Sequence, residues 1–165
     1  MATRFAKATQ SLILFIRFPE LGIVHNKPVE AREKFKPFLF ELLDGFCKGL
    51  KWHNNVTIFP GSQFLPAQIN EYEKKDRYIV IFLGINDTTP ELLLKKIRET
   101  EAEHDWTHKQ SDESLLERCK EIIKESVALE NECKKYGFYY FNTFNNREKM
   151  LNEILDIVSK EENDQ

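Results

Sequence analysis

Apolar positions along this chain follow two rhythms in turn, and their alternation predicts strands separated by helices. Ser11–Phe18 (SLILFIRF) is a continuous apolar run closed by Pro19 and Gly22, which predicts a strand. From Val29 to Leu50 the apolar residues Phe35, Phe38, Leu39, Leu42, Leu43, Phe46, Cys47 and Leu50 recur at helical spacing, so one buried face is expected there. Pro28 suits the first turn of that helix, and Pro37 predicts a kink or its true start. Asn55–Phe59 (NVTIF) is short, β-branched and stopped by Pro60-Gly61, again a strand. Arg77–Gly84 (RYIVIFLG) is the clearest strand, and its unbroken apolar run predicts burial on both faces.

The second half repeats the pattern. Thr88-Thr89-Pro90-Glu91 places a cap residue before Pro at the first helical position, predicting a helix that runs to about Ala102. After the polar stretch Glu103–Asp112, a long helix is expected from about Glu113 to Tyr136, stopped by Gly137. Its apolar face steps by fours and threes through Leu115, Cys119, Ile122, Ser126, Leu129, Cys133 and Tyr136, which fits a sheet-packed helix better than a coiled coil so short. Phe138–Phe141 predicts another strand. Asn145–Lys160 predicts a closing amphipathic helix with Met150, Leu151, Ile154, Leu155 and Val158 inside. Helices between strands imply βαβ crossovers and a mainly parallel sheet flanked by helices, in one domain spanning 1–165.

Composition narrows the classes. With 41% hydrophobic residues and thirteen phenylalanines in 165 residues, the chain can bury a core. A net charge of −3 with both signs mixed gives no basic field for nucleic acid or a membrane surface, so neither is an expected partner. No apolar run approaches the ~20 residues needed to span a bilayer, and Ser11–Phe18 lacks a following cleavage site, so the cytoplasm is the expected compartment. Cys47, Cys119 and Cys133 form no CxxC pair and fall in apolar helical patterns, which predicts reduced core thiols.

Three stretches resemble the P-loop small-molecule kinases, the superfamily of adenylate-kinase-like, nucleoside-kinase-like and 2-phosphoglycerate-kinase-like proteins. They are NVTIFPGSQFLP (Asn55–Pro66), RYIVIFLGI with TTPELLLKKIRETEAEHDW (Arg77–Trp106), and KYGFYYFNTFNNREKMLNEIL (Lys135–Leu155). The resemblance implies a three-layer sheet with a helical lid-like insert near 98–118. It also implies a nucleotide or small-molecule ligand and ATP-dependent phosphoryl transfer with Mg²⁺. Carried over by position, it places Arg98, Lys109 and Arg118 as lid cations gripping phosphate oxygens. Thr143, Asn145 and Arg147 fall in the nucleotide-side loop, and Gly61, Ser62 and Gln63 on the substrate side.

Two departures argue against retained catalysis. No G-x-x-x-x-G-K-[ST] occurs in the chain, so the backbone nest that supplies most phosphate donors is missing, and with it the fold's first strand. Pro60 stands where the family has a metal-holding carboxylate, and Asn142 where its last loop often has Asp. Asp44 and Asp87 are weak substitutes. The implied protein is a degenerate or truncated relative of phosphotransferases; the alternative is a non-catalytic binding or regulatory domain, with ATP and Mg²⁺ required only in the first case. An incomplete sheet would leave an edge that favours a homodimer.

Each candidate also has a plainer reading. Arg98 can pair with Glu101, and Arg118 with Glu117 or Glu121, as solvated helix surface. Trp106 is expected to pin the turn to the core rather than stack on a ligand ring. His104 and His108 would share a face if helical, but no third ligand stands at a diagnostic spacing, so no metal site is expected. Asn145 is expected to cap the last helix.

Overall fold

Local signals that start and stop helices account for most of the second half. The computed structural model describes Lys34, residues 36–45 and residues 64–163, with side chains described to 160, and divides into two units, Met1–Gln63 and Phe64–Gln165. In the first unit, residues 36–45 are helical with Leu39 and Leu43 buried, as the spacing predicts, whereas Phe38 is exposed. The expected strands at Ser11–Phe18 and Asn55–Phe59 lie outside the described residues, as do Cys47, Pro60, Gly61, Ser62 and Gln63.

The second unit runs α1 (Pro66–Asn70), β1 (Ile81–Gly84), α2 (Pro90–Thr100), α3 (Asp112–Tyr136), β2 (Tyr139–Asn142) and α4 (Arg147–Asn163), with a 3-10 turn at Lys75–Arg77. Helix α2 starts because Thr89 Oγ1 accepts from Leu92 N–H at 3.3 Å and Pro90 occupies the first turn. Helix α3 starts on Ser111, whose hydroxyl accepts from Ser114 N–H, with Asp112 and Glu113 favourable at the dipole's positive end. It ends at Gly137, whose φ of 76° lies in the left-handed region that costs any other residue a Cβ clash.

Strands β1 and β2 are parallel neighbours, in register Ile81–Tyr139, Phe82–Tyr140, Leu83–Phe141 and Gly84–Asn142. Parallel strands need a long crossover, and here α2, the turn segment 101–111 and α3 provide it. The result is a small two-stranded parallel sheet with flanking helices. Helix α3 packs on both strands and on α2 rather than on a coiled-coil mate. Leu93, Leu115 and Cys119 form the buried centre between α2 and α3, with Ile85, Ile97, Ile122 and Phe144 against it. Cys119 and Cys133 are both buried free thiols, and burial pushes the Cys133 thiol up to about 11.

The structure corrects three expectations. The strand predicted from Arg77 begins only at Ile81, because Tyr78 N–H closes the preceding turn on Lys75 O at 2.9 Å and β2 offers just four partners. Burial on both faces does not hold: Phe82 is buried, yet Leu83 on the opposite face is 53% exposed and Tyr139 beside it 40%. Alternate residues of a strand point to opposite faces, and α3 covers the one carrying Phe82 and Tyr140. In α4 only Met150 of the predicted apolar set is buried, while Leu151 and Leu155 are exposed.

Candidate functional site

In a parallel pair the carboxyl ends of both strands lie side by side, the usual place for a ligand. Here the ends carry Gly84-Ile85-Asn86-Asp87 and Asn142-Thr143-Phe144-Asn145-Asn146. They are stitched together by polar groups. Thr143 N–H donates to Gly84 O at 2.8 Å and its hydroxyl reaches the same carbonyl at 3.2 Å. Asn142 Nδ2 donates to Asn86 Oδ1 at 2.8 Å, and Asn86 Nδ2 donates onward to Glu130 of α3. Asn142 Oδ1 accepts from Phe144 N–H at 2.9 Å, and Ser126 Oγ accepts from Ile85 N–H at 3.0 Å. Lys96 donates to Phe144 O and lies 4.5 Å from its ring centroid. Glu130 is further held by Lys134 at 2.8 Å.

Sequence reading missed this relay. Its signal was present: an amide residue stands at the end of each apolar run, Asn86 after RYIVIFLGI and Asn142 after FYYF. Asn142 stood out only as a departure from Asp. Its amide can both donate and accept, and it does both here, where a carboxylate could only accept.

The nucleotide-side candidates fall together at this edge. Thr143 is committed to Gly84, while Asn145 and Arg147 are exposed at the start of α4. The cap of α4 is Asn146 rather than Asn145: its Oδ1 accepts from Lys149 N–H at 3.1 Å. Its φ of 45° explains the residue type, since asparagine tolerates the left-handed region better than most.

The lid candidates lie elsewhere. The stretch 98–118 comprises the end of α2, the turn segment 101–111 and the start of α3. Arg98 closes that turn with its whole guanidinium. Nη1 donates to Glu101 Oε1 at 2.9 Å and Thr107 O at 3.1 Å, Nη2 to Gln110 O at 2.7 Å, and Nε to Asp112 Oδ1 at 2.9 Å. Arg118 pairs with Glu121 at 2.7 Å. The surface pairings at helical spacing are therefore the arrangement present for both arginines. Lys109 lines an open cavity of about 380 Å³ with Glu103, His104 and His108. The histidines meet there on a turn rather than a helix face, and His108 Nδ1 stands 3.8 Å from Glu101 Oε1. Among the described residues, no group of three or more His, Cys, Asp or Glu side chains is placed to hold a metal ion.

Trp106 departs from its expected role. It is 62% exposed, and the turn is pinned instead by Arg98 and by the buried Thr107 next to the indole. Burial tends to raise the Glu101 carboxyl, but hydrogen bonds from Thr107 and Arg98 outweigh it and hold the group below its ordinary 4.5. A carboxyl depressed in the folded state stabilises above its unfolded pKa, and that contribution is lost as pH falls through the lowered value. Protection factors of the amides across 101–111, which allow for the slower intrinsic exchange in acid, should therefore fall as pH drops below the ordinary glutamate range. Arg98→Gln should already show low protection factors there at neutral pH, with little further change on acidification. Equal pH dependence in both proteins would show that the clamp does not govern the turn.

No protein-family model, curated protein or solved structure matches the chain.

Proposed function

We propose that this chain is a degenerate relative of the P-loop small-molecule kinases that binds a nucleotide or small phosphorylated metabolite without transferring its phosphoryl group. The seat is the carboxyl edge of β1 and β2, with Thr143 shaping the loop and Asn145 and Arg147 meeting the ligand. In this reading the two-stranded pair belongs to a larger, three-layer, mainly parallel sheet.

The observation that carries the proposal is the parallel pairing of β1 with β2, which sets both strand ends beside the start of α4. A helix start favours anions, and Arg147 is exposed in that first turn, where a guanidinium can grip phosphate oxygens. The residues do not fit catalysis with Mg²⁺. Of the carboxylates near the strand ends, Glu130 is held by Asn86 and Lys134, and Asp87 alone lacks a phosphate cradle to complete a metal site. Arg98 is engaged by acceptors of its own turn and so is not offered to a transferring phosphoryl group.

Calorimetry with Mg·ATP tests this directly. Saturable heat is expected at millimolar nucleotide, about tenfold weaker in Arg147→Ala, the size of one charge-assisted hydrogen bond, with no ADP formed on long incubation. Absence of heat would sink the binding claim. Steady ADP release would instead restore a catalytic relative.

A further inference from the structure

An asparagine amide is ambiguous on its own, since either its oxygen or its nitrogen can face a neighbour. At the strand ends both termini of a chain of bonds remove the choice. Phe144 N–H can only donate, so Asn142 must turn Oδ1 towards it, and the bond is 2.9 Å. Asn142 Nδ2 is then left for Asn86, which must present its own Oδ1, at 2.8 Å. Asn86 Nδ2 in turn faces Glu130 of α3. That carboxylate, paired with Lys134 at 2.8 Å, can only accept. Every donor therefore points the same way, from the loop after β2, across the end of β1, to α3. Asn86, Glu130 and Asn142 are all half-buried, where two acceptors forced together are costly.

We propose that Glu130 is a positioning residue of the strand-end seat, acting through Asn86 and Asn142 rather than on the ligand. As the terminal acceptor it sets the sense of the relay, and so holds the loop that carries Asn145 and leads into Arg147. Its effect on affinity rests on the binding reading above; its effect on the loop rests on the hydrogen bonds alone.

A one-way relay responds to substitution differently from mere packing. A carboxylate at position 142 would still accept from Phe144 N–H, but it could not donate to Asn86. Asn86 would then stand between two carboxylates, with its oxygen turned against one of them. Glutamine in place of Glu130 removes the conflict. Its amide can donate to Asn86 Oδ1, which frees Asn86 Nδ2 for position 142 and reverses that part of the relay.

The readouts are amide-exchange protection of Thr143, whose N–H joins the two strand ends through Gly84 O at 2.8 Å, and Mg·ATP calorimetry on the full chain. Asn142→Asp should lower Thr143 protection about tenfold, the scale of one buried polar mismatch, and weaken Mg·ATP by a similar factor. Asn142→Asp/Glu130→Gln should restore most of both. Asn142→Asp/Glu130→Met removes the charge but supplies no donor, and should restore neither. If Asn142→Asp alone does not fold, the two double variants carry the same comparison. Protection unchanged by Asn142→Asp, or restored as well by methionine as by glutamine, would overturn the relay. Restored protection without restored affinity would overturn the role of Glu130 at the seat. No heat from the parent, with the expected protection pattern, would sink the binding reading and leave Glu130 as the residue that holds the loop.

Discussion

Leu115→Ala is expected to lower stability by about 2–5 kcal/mol, the range for removing a fully buried leucine. Leu115 is completely buried at the centre of the α2–α3 contact, against Leu93 and Cys119 and ringed by Ile97, Ile122 and Phe144. Its position one turn into α3 leaves little room for collapse, because the Ser111 cap and the Arg98–Asp112 bond fix the start of the helix. A reduced urea midpoint with an unchanged slope is the signature sought. Leu115→Met, which conserves volume, should cost less than about 1.5 kcal/mol. A second readout is local. Cys119 lies one turn further on, and burial raises its thiol pKa, so alkylation at that residue should be slow in the parent and fast in the alanine variant. An alanine variant as stable and as slowly alkylated as the parent would show that this contact does not hold the unit together.

Much of this core was legible because helices announce themselves locally. Thr89-Pro90 marks one start and Gly137 one stop, α3 begins at Asp112, one residue before the expected Glu113, and the period through Leu115, Cys119, Ser126 and Cys133 named the buried side of α3. Strands are defined by their partners, and that is where reading alone fell short. RYIVIFLG promises eight extended residues, but the ladder holds only four, and nothing in the run says that Leu83 faces outward. The candidate site was legible to a lesser degree. Asn145 and Arg147 do lie at the carboxyl edge beside Thr143, because a β-to-α loop follows from the order of elements. The assignment of Arg98, by contrast, turned on its acceptors. Glu101 was visible three residues on, whereas the carbonyls of Thr107 and Gln110 become available only when the turn has folded back. The Asn86–Asn142 contact, 56 residues apart in sequence, depends wholly on strand register.

That register also sets the consequence of Gly84→Ala. Gly84 closes β1 on the same face as Tyr140, and a Cβ there would lie 2.8 Å from Tyr140 Cε2 and 2.9 Å from Cζ, with the hydroxyl closer still. Those distances are below any carbon contact a folded chain tolerates, so either the ring or the strand must shift. Neither moves freely. Gly84 O accepts both the backbone and the hydroxyl of Thr143, and the Tyr140 hydroxyl is enclosed beside Ser126. It makes no hydrogen bond of good geometry. Burial, then the charge of Glu130, pushes this phenol up to about 12. The alanine variant should lose about 1–3 kcal/mol through overpacking. Tyr140→Phe alone should be nearly neutral, because it deletes a buried hydroxyl that has no partner. Combined with Gly84→Ala, it removes the closest clashing atom while leaving Cε2 and Cζ in place. The double variant should therefore regain part of the loss, a favourable coupling of about 0.5 kcal/mol or more. Additive effects across the cycle would mean that the strand, not the ring, yields, and the bonds from Thr143 to Gly84 O should then be the first to weaken in amide exchange.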